Sequence, residues 1–196
     1  MKKQIILLLT LISLTLSAQK QNKYYLEGNI DISAPQTKNY FYNNADHSIN
    51  YVSIKEQGWL LNNYGINFSY NYLILKRLSI GTLTGIYSDS KQKFSHLRLG
   101  GLVRYFFIKD KNHNFNLKLG KNITFDKKKF NNGVNFKIGF GIPVYTIKDN
   151  NKILLDLFWE QNYYELDGAN KLLNLNDEIP RTLTVHSYGI SINVMF

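Results

Sequence analysis

Residues 188–196 read Tyr-Gly-Ile-Ser-Ile-Asn-Val-Met-Phe. Tyr188, Ile190, Ile192, Val194 and Phe196 alternate with Gly189, Ser191, Asn193 and Met195. Successive side chains of a β-strand point to opposite faces, so this stretch is a strand with one greasy face and one mostly small or polar face. The same period of two opens the chain after its leader. There Tyr24, Leu26, Gly28, Ile30 and Ile32 share a face, and Tyr25, Glu27, Asn29, Asp31 and Ser33 share the other.

The rule recurs in Tyr64, Ile66, Phe68, Tyr70 and Tyr72 against Asn63, Gly65, Asn67, Ser69 and Asn71, and through Leu78 to Ser88. Leu97, Leu99, Gly101, Val103, Tyr105 and Phe107 oppose His96, Arg98, Gly100 and Arg104. Phe115, Leu117, Leu119, Ile123 and Phe125 oppose Asn116, Lys118, Gly120, Asn122 and Thr124. Val134 to Ile147, Ile153 to Tyr164 and Thr182 to Phe196 complete about eight strands, an even number as closed bacterial barrels require.

Such barrels alternate short turns at one end with longer loops at the other. Leu75 to Arg77, Ile108 to Asn114 and Lys148 to Lys152 read as turns. Pro35 to Gln57, Asp89 to Phe94, Asp126 to Asn132 and Glu165 to Arg181 read as outer loops, of which the first and last are the longest. Pro143 cannot donate to a ladder, and a bulge within Gly139 to Tyr145 accommodates it while turning Tyr145 and Ile147 outward.

Met1 to Lys20 holds a charged start, an apolar run from Ile5 to Leu16 and Ser17-Ala18-Gln19, the layout of a signal peptide cleaved after Ala18. Residues 19–196 then form one barrel domain. Cysteine is absent, which removes disulfides, thiol catalysis and cysteine-based metal sites. The formal charge is +10. For an exported chain this basicity points to polyanionic lipopolysaccharide rather than nucleic acid, although a lysine-rich proteome gives the same balance.

The polar faces decide between a soluble barrel, greasy inside, and a transmembrane one, greasy outside. Glu27, Asp31, Asp156 and Glu160 are acidic, and Arg98, Arg104, Lys118 and Lys137, on three consecutive strands, are basic. In a closed ring these sets fall on opposite walls, where they can pair across a narrow lumen. The greasy faces carry Tyr24, Tyr64, Tyr70, Tyr72, Tyr105, Phe107, Phe115, Phe125, Trp159, Tyr163, Tyr188 and Phe196, many near strand ends, as interfacial girdles require. The expected fold is therefore an all-β, eight-stranded, antiparallel up-and-down transmembrane β-barrel.

The C-terminal row of Tyr188, Ile190, Ile192, Val194 and Phe196 resembles the signal by which outer-membrane barrels are recognised by their assembly machinery. With the leader and the alternating segments, the chain resembles the small OmpA/OmpX-like barrels, without a peptidoglycan-binding domain. Its Asn-, Lys- and Tyr-rich style is similar to barrel domains of Bacteroidetes. The resemblance implies the outer membrane as location, and lipid, lipopolysaccharide and the assembly machinery as partners.

No catalytic, cofactor or metal site is expected. Some small barrels modify lipid A with Ser and His, but Ser95-His96 and His186-Ser187 are sequence neighbours and so face opposite sides of a strand. Asp167, Asn174, Asn176, Asp177 and Glu178 lack a calcium-loop pattern and read as a solvated loop. Gly139-Phe140-Gly141 lacks the third glycine of a dinucleotide site, and His47 and His113 stand alone. Lys91, Lys93, Lys127, Lys128 and Lys129 are expected at the outer surface, near lipopolysaccharide phosphates. The leading expectation is a non-enzymatic barrel with a structural or adhesion-like role through its outer loops. A narrow porin-like channel and a lipid A-modifying enzyme are the alternatives, with a soluble lipocalin-like binder as the outlier.

Overall fold

A computed structural model describes residues 23–56, 61–90, 93–107, 113–126, 130–147, 151–166 and 171–196. The proposed leader, Lys91, Lys127, Lys128, Lys129 and Asp167 lie outside them. Among the described residues nine antiparallel strands run β1 Tyr24–Asn43, β2 Ile49–Lys55, β3 Asn63–Leu75, β4 Leu78–Asp89, β5 Phe94–Phe106, β6 Asn114–Thr124, β7 Gly133–Thr146, β8 Lys152–Glu165 and β9 Ile179–Met195.

The sheet closes on itself. β1 and β3 to β9 pair in sequence, and β9 returns to β1 from Glu27–Met195 up to Asn43–Ile179. Following register partners once around from Gly28, through Phe68, Thr84, Leu99, Lys121, Val134, Tyr163 and Thr184, leads back to β1 at Asn39. A stagger of this size over eight strands corresponds to a strand tilt of about 40°.

The expected count of eight strands and the expected outer loop from Pro35 to Gln57 both need correction. β1 continues to Asn43, and β2 pairs back onto it from Thr37–Lys55 to Asn43–Ile49. β2 lies beyond β3 along the same edge of β1, since β3 pairs only with Tyr24–Ser33. The result is a ring of eight pairings with a ninth strand standing on one side of its upper end. The final loop is also shorter than expected, because β9 begins at Ile179.

Period two explains the wall. Along β1 as far as Ser33, odd-numbered side chains are buried and even-numbered ones face outward. Outward residues such as Ile66, Phe68, Leu119, Leu157 and Ile192 are about half exposed, whereas Glu27, Arg98, Arg104, Lys137 and Asp156 are at most 2% exposed. The greasy side faces out and the charged side faces in, the reverse of a soluble barrel. At Pro143 the register shifts, Pro143 pairing with Leu154 and Tyr145 with Ile153, which leaves Val144 as the extra residue. Tyr145 and Ile147 are exposed there.

Candidate functional site

The interior is filled in three layers. At the end holding both strand termini, Tyr25, Phe106, Leu154 and Met195 pack together with Leu73 against them. At the opposite end Tyr40, Tyr42, Phe94, Phe130, Tyr164, Leu166, Leu183 and Val185 form a second apolar cluster, backed by Val52, Leu172 and Leu173. Between them lie the charges.

Arg104 spans the lumen to Glu27, donating from both terminal guanidinium nitrogens, with Nη2 to Oε1 at 2.8 Å. Asp31 is the busiest acceptor. Lys137 Nζ and Tyr87 OH donate to its Oδ2 at 2.7 Å, Asn67 Nδ2 at 2.9 Å, and Ser191 Oγ donates to Oδ1. Arg98 Nη1 reaches Glu160 at 3.3 Å, while its Nε and Nη2 donate to Asn122 and Asn162. Two cations also cover rings, Arg98 over Tyr87 at 3.7 Å and Lys137 over Phe158 at 3.5 Å. A buried charge persists only when paired and hydrogen-bonded, and three of the four acidic side chains meet that condition through an ion pair.

Of the eight charges expected in the lumen, the structure buries all eight and joins six of them as ion pairs. Asp156 instead accepts from Asn116 Nδ2 at 3.0 Å. Lys118 is buried with no ion pair of its own among the described residues. The simple picture of opposite walls needs correction too. Asp156 and Glu160 lie on β8, beside β7 rather than across from it, and Lys137 is the register partner of Glu160 yet reaches across to Asp31.

His96 faces the lumen, stacked on Tyr87 and Phe94, and Ser95 faces outward toward Ser88. Ser187 is buried while His186 lies half-exposed against Trp159, so neither Ser–His pair is assembled. No group of three metal-ligating side chains occurs among the described residues. Lys93 sits in the turn before β5 with a φ of 52°.

Glu178 was expected in a solvated loop, and this needs correction. It is 2% exposed. Its carboxylate accepts from Tyr40 OH and from the backbone N–H groups of Leu172, Leu173 and Leu175 at 2.8 to 3.1 Å. Burial opposes its ionisation, but the Tyr40 and backbone hydrogen bonds outweigh burial and hold it below its ordinary value. A carboxylate depressed in the folded state stabilises above its unfolded pKa and loses that stabilisation as pH falls through the folded value. Acidification is therefore expected to release segment 171–178 before the barrel opens. Hydrogen exchange at Leu172 and Leu173 measures this, and Glu178→Gln should give fast exchange already at neutral pH.

Beyond the second cluster, the segment above the ring carries a polar ladder. Tyr51 OH and Ser53 Oγ donate to Asn39 Oδ1 at 3.1 Å, Asn39 Nδ2 meets His186 Nε2 at 3.3 Å, and Phe41 packs on Tyr51. The terminal bonds of the hairpin, Asn44 N to Ser48 O and Glu56 N to Gln36 O, fix the ladder phase. Asn50, Val52 and Ile54 therefore turn their backbone groups to β1, and Tyr51 and Ser53 turn theirs to the free edge.

No family model matches the chain, and no curated protein matches it. Among solved structures it is similar to outer membrane protein AlkL, determined by solid-state NMR in DMPC bilayers. The TM-score is 0.50 and the identity 9%, over 91% of this chain and 92% of that one. OprG from Pseudomonas aeruginosa gives a TM-score of 0.46 and 10% identity, over 88% and 95% of the two chains. Neisserial surface protein A gives 0.42 and 10%, over 89% and 99%. At these identities only the fold is shared, and with AlkL it is that of a small outer-membrane β-barrel.

Proposed function

We propose that this chain is a non-enzymatic integral barrel of the bacterial outer membrane that binds an extended segment of an outside partner along the free edge of β2. Residues 1–18 would direct its export. The outward row ending at Phe196 would engage the assembly machinery. The observation that carries the reading is the filled interior. With ion pairs between two apolar clusters, the lumen offers no continuous aqueous path, which favours the outer extension over the interior as the place where an outside partner is engaged.

β2 is hydrogen-bonded to β1 on one side, and its Ile49 and Tyr51 are 76% and 55% exposed. It contains no proline and no bulge to block strand addition, and its one charge, Lys55, stands at the end of the strand. Addition of a strand to such an edge uses backbone hydrogen bonds for affinity.

Ser53→Pro removes a backbone donor from the free edge and leaves the backbone ladder to β1 intact, with the loss of the Ser53 Oγ hydrogen bond to Asn39. It is expected to abolish capture of the outside partner while the protein still fractionates with outer membranes and keeps its distinct mobility on unboiled gels. Retained capture by this variant, or steady unitary currents from the wild type in planar bilayers, would overturn the reading.

A further inference from the structure

Resting on the outer-membrane location proposed above, we infer that the wall formed by β5 to β8 carries a binding groove for one phosphorylated glycolipid of the outer leaflet. The phosphate would sit on Lys121, and an acyl chain would lie below it.

Two adjacent rows of outward side chains make the groove. Leu99, Lys121, Val134 and Tyr163 are successive register partners, and below them run Leu119, Phe136 and Gln161. Behind these rows Gly100 and Gly120 face each other across β5 and β6. A Cβ on Gly100 would come within 2.0 Å of Leu119 O and 2.6 Å of Gly120 Cα. On Gly120 it would instead meet Arg98 Cγ at 2.9 Å on the lumen side, so the close approach of the two strands rests on Gly100. The hollow has a volume of about 450 Å³, on the scale of a lipid segment rather than a water molecule.

The floor is apolar, with Leu99, Leu119 and Val134 between 43% and 56% exposed. The rim is polar. Lys121 Nζ, the Gln161 side-chain amide and Tyr163 OH all lie on the outward face, and none has a hydrogen-bond or ion-pair partner among the described residues. Gln161 and Tyr163 occur where the outer face changes character, and Lys121 lies two strands away in the row of Tyr163, with Ile123 and Phe125 continuing the apolar face of β6 above it. On β8, Leu155, Leu157 and Trp159 give way to Gln161 and Tyr163, and on β9 Ile190 and Tyr188 give way to His186 and Thr184. A lysine on the lipid-facing wall is tolerated near an interface, and there the Lys121 ammonium stands at the level of anionic headgroups with which it can pair.

A phosphate meets that need. A sugar ring carrying it supplies hydroxyls to Gln161 and Tyr163, which a plain hydrocarbon or a free phosphate does not. The acyl chain then covers Leu119, Val134 and Phe136.

The test is native mass spectrometry of the full-length protein, refolded in a neutral detergent and titrated with lipid A bearing both phosphates, dephosphorylated lipid A or phosphatidylglycerol. The phosphorylated form should bind about tenfold or more tightly than the dephosphorylated one, the scale of a charge-assisted hydrogen bond. Lys121→Met should erase that difference, and Lys76→Met, at the opposite end of the barrel, should preserve it. Val134→Trp, which fills the hollow and keeps Lys121, should also weaken binding.

Unchanged binding by Lys121→Met overturns the inference. So does equal retention of phosphatidylglycerol, which would mean an unselective response to anionic lipid. Mobility on unboiled gels verifies that each variant is folded, and fractionation of the wild type tests the location independently.

Discussion

Arg104→Met is expected to destabilise the barrel by about 3–5 kcal/mol, because it leaves the Glu27 carboxylate buried without its counter-charge. Both side chains of this pair are fully shielded from solvent, so water cannot take over the role of the guanidinium. Urea titration in lipid vesicles, followed by tryptophan fluorescence, measures the loss. The double variant Glu27→Met with Arg104→Met removes both charges together and should recover most of it, since a buried pair replaced by apolar groups is often neutral or better. If the double variant is no more stable than the single one, the cost lies in packing rather than in stranded charge.

Asp31→Leu should cost at least as much. It strands the ammonium of Lys137 and removes the acceptor shared by Tyr87, Asn67 and Ser191. Asp31→Asn keeps an oxygen in place for part of that set and should cost less. Adding Lys137→Met to Asp31→Leu should restore part of the loss, with a coupling of about 0.5–3 kcal/mol in a double-mutant cycle. Independence of the two sites would mean that Lys137 is held mainly by the Phe158 ring beneath it.

The barrel wall was legible because a strand buried on one face prints its pattern directly, as Tyr24 to Ser33 does. Pro143 was legible for a different reason, since a missing donor has few places in a ladder. The stretch after Pro35 hid its structure twice over. A register shift between Pro35 and Thr37 reverses the parity, so that the even-numbered Lys38, Tyr40 and Tyr42 turn inward. Beyond the apolar band the two faces are also mixed, with Lys38, Tyr40 and Tyr42 inside and Asn39 and Phe41 outside. A strand with shifted parity and no greasy face reads as a loop.

In the lumen, the sequence identified which side chains face inward, but not how they pair. A lysine or arginine in a narrow barrel can reach several walls, and Lys137 passes over its register partner Glu160 to reach Asp31. Glu178 was missed because its partners are mostly backbone amides of its own loop, which carry no residue-type signal.

The pairing of β1 with β9 also governs the order in which this molecule can be made. Glu27 to Asn43 meet residues 179–195 from the far end of the chain, so one edge of the first strand waits until the last has been synthesised. Until then both ends of the growing sheet expose unpaired backbone, and contacts of such long range form slowly. The sheet therefore stays open until its final closure, a single late event in which the last strand completes the first.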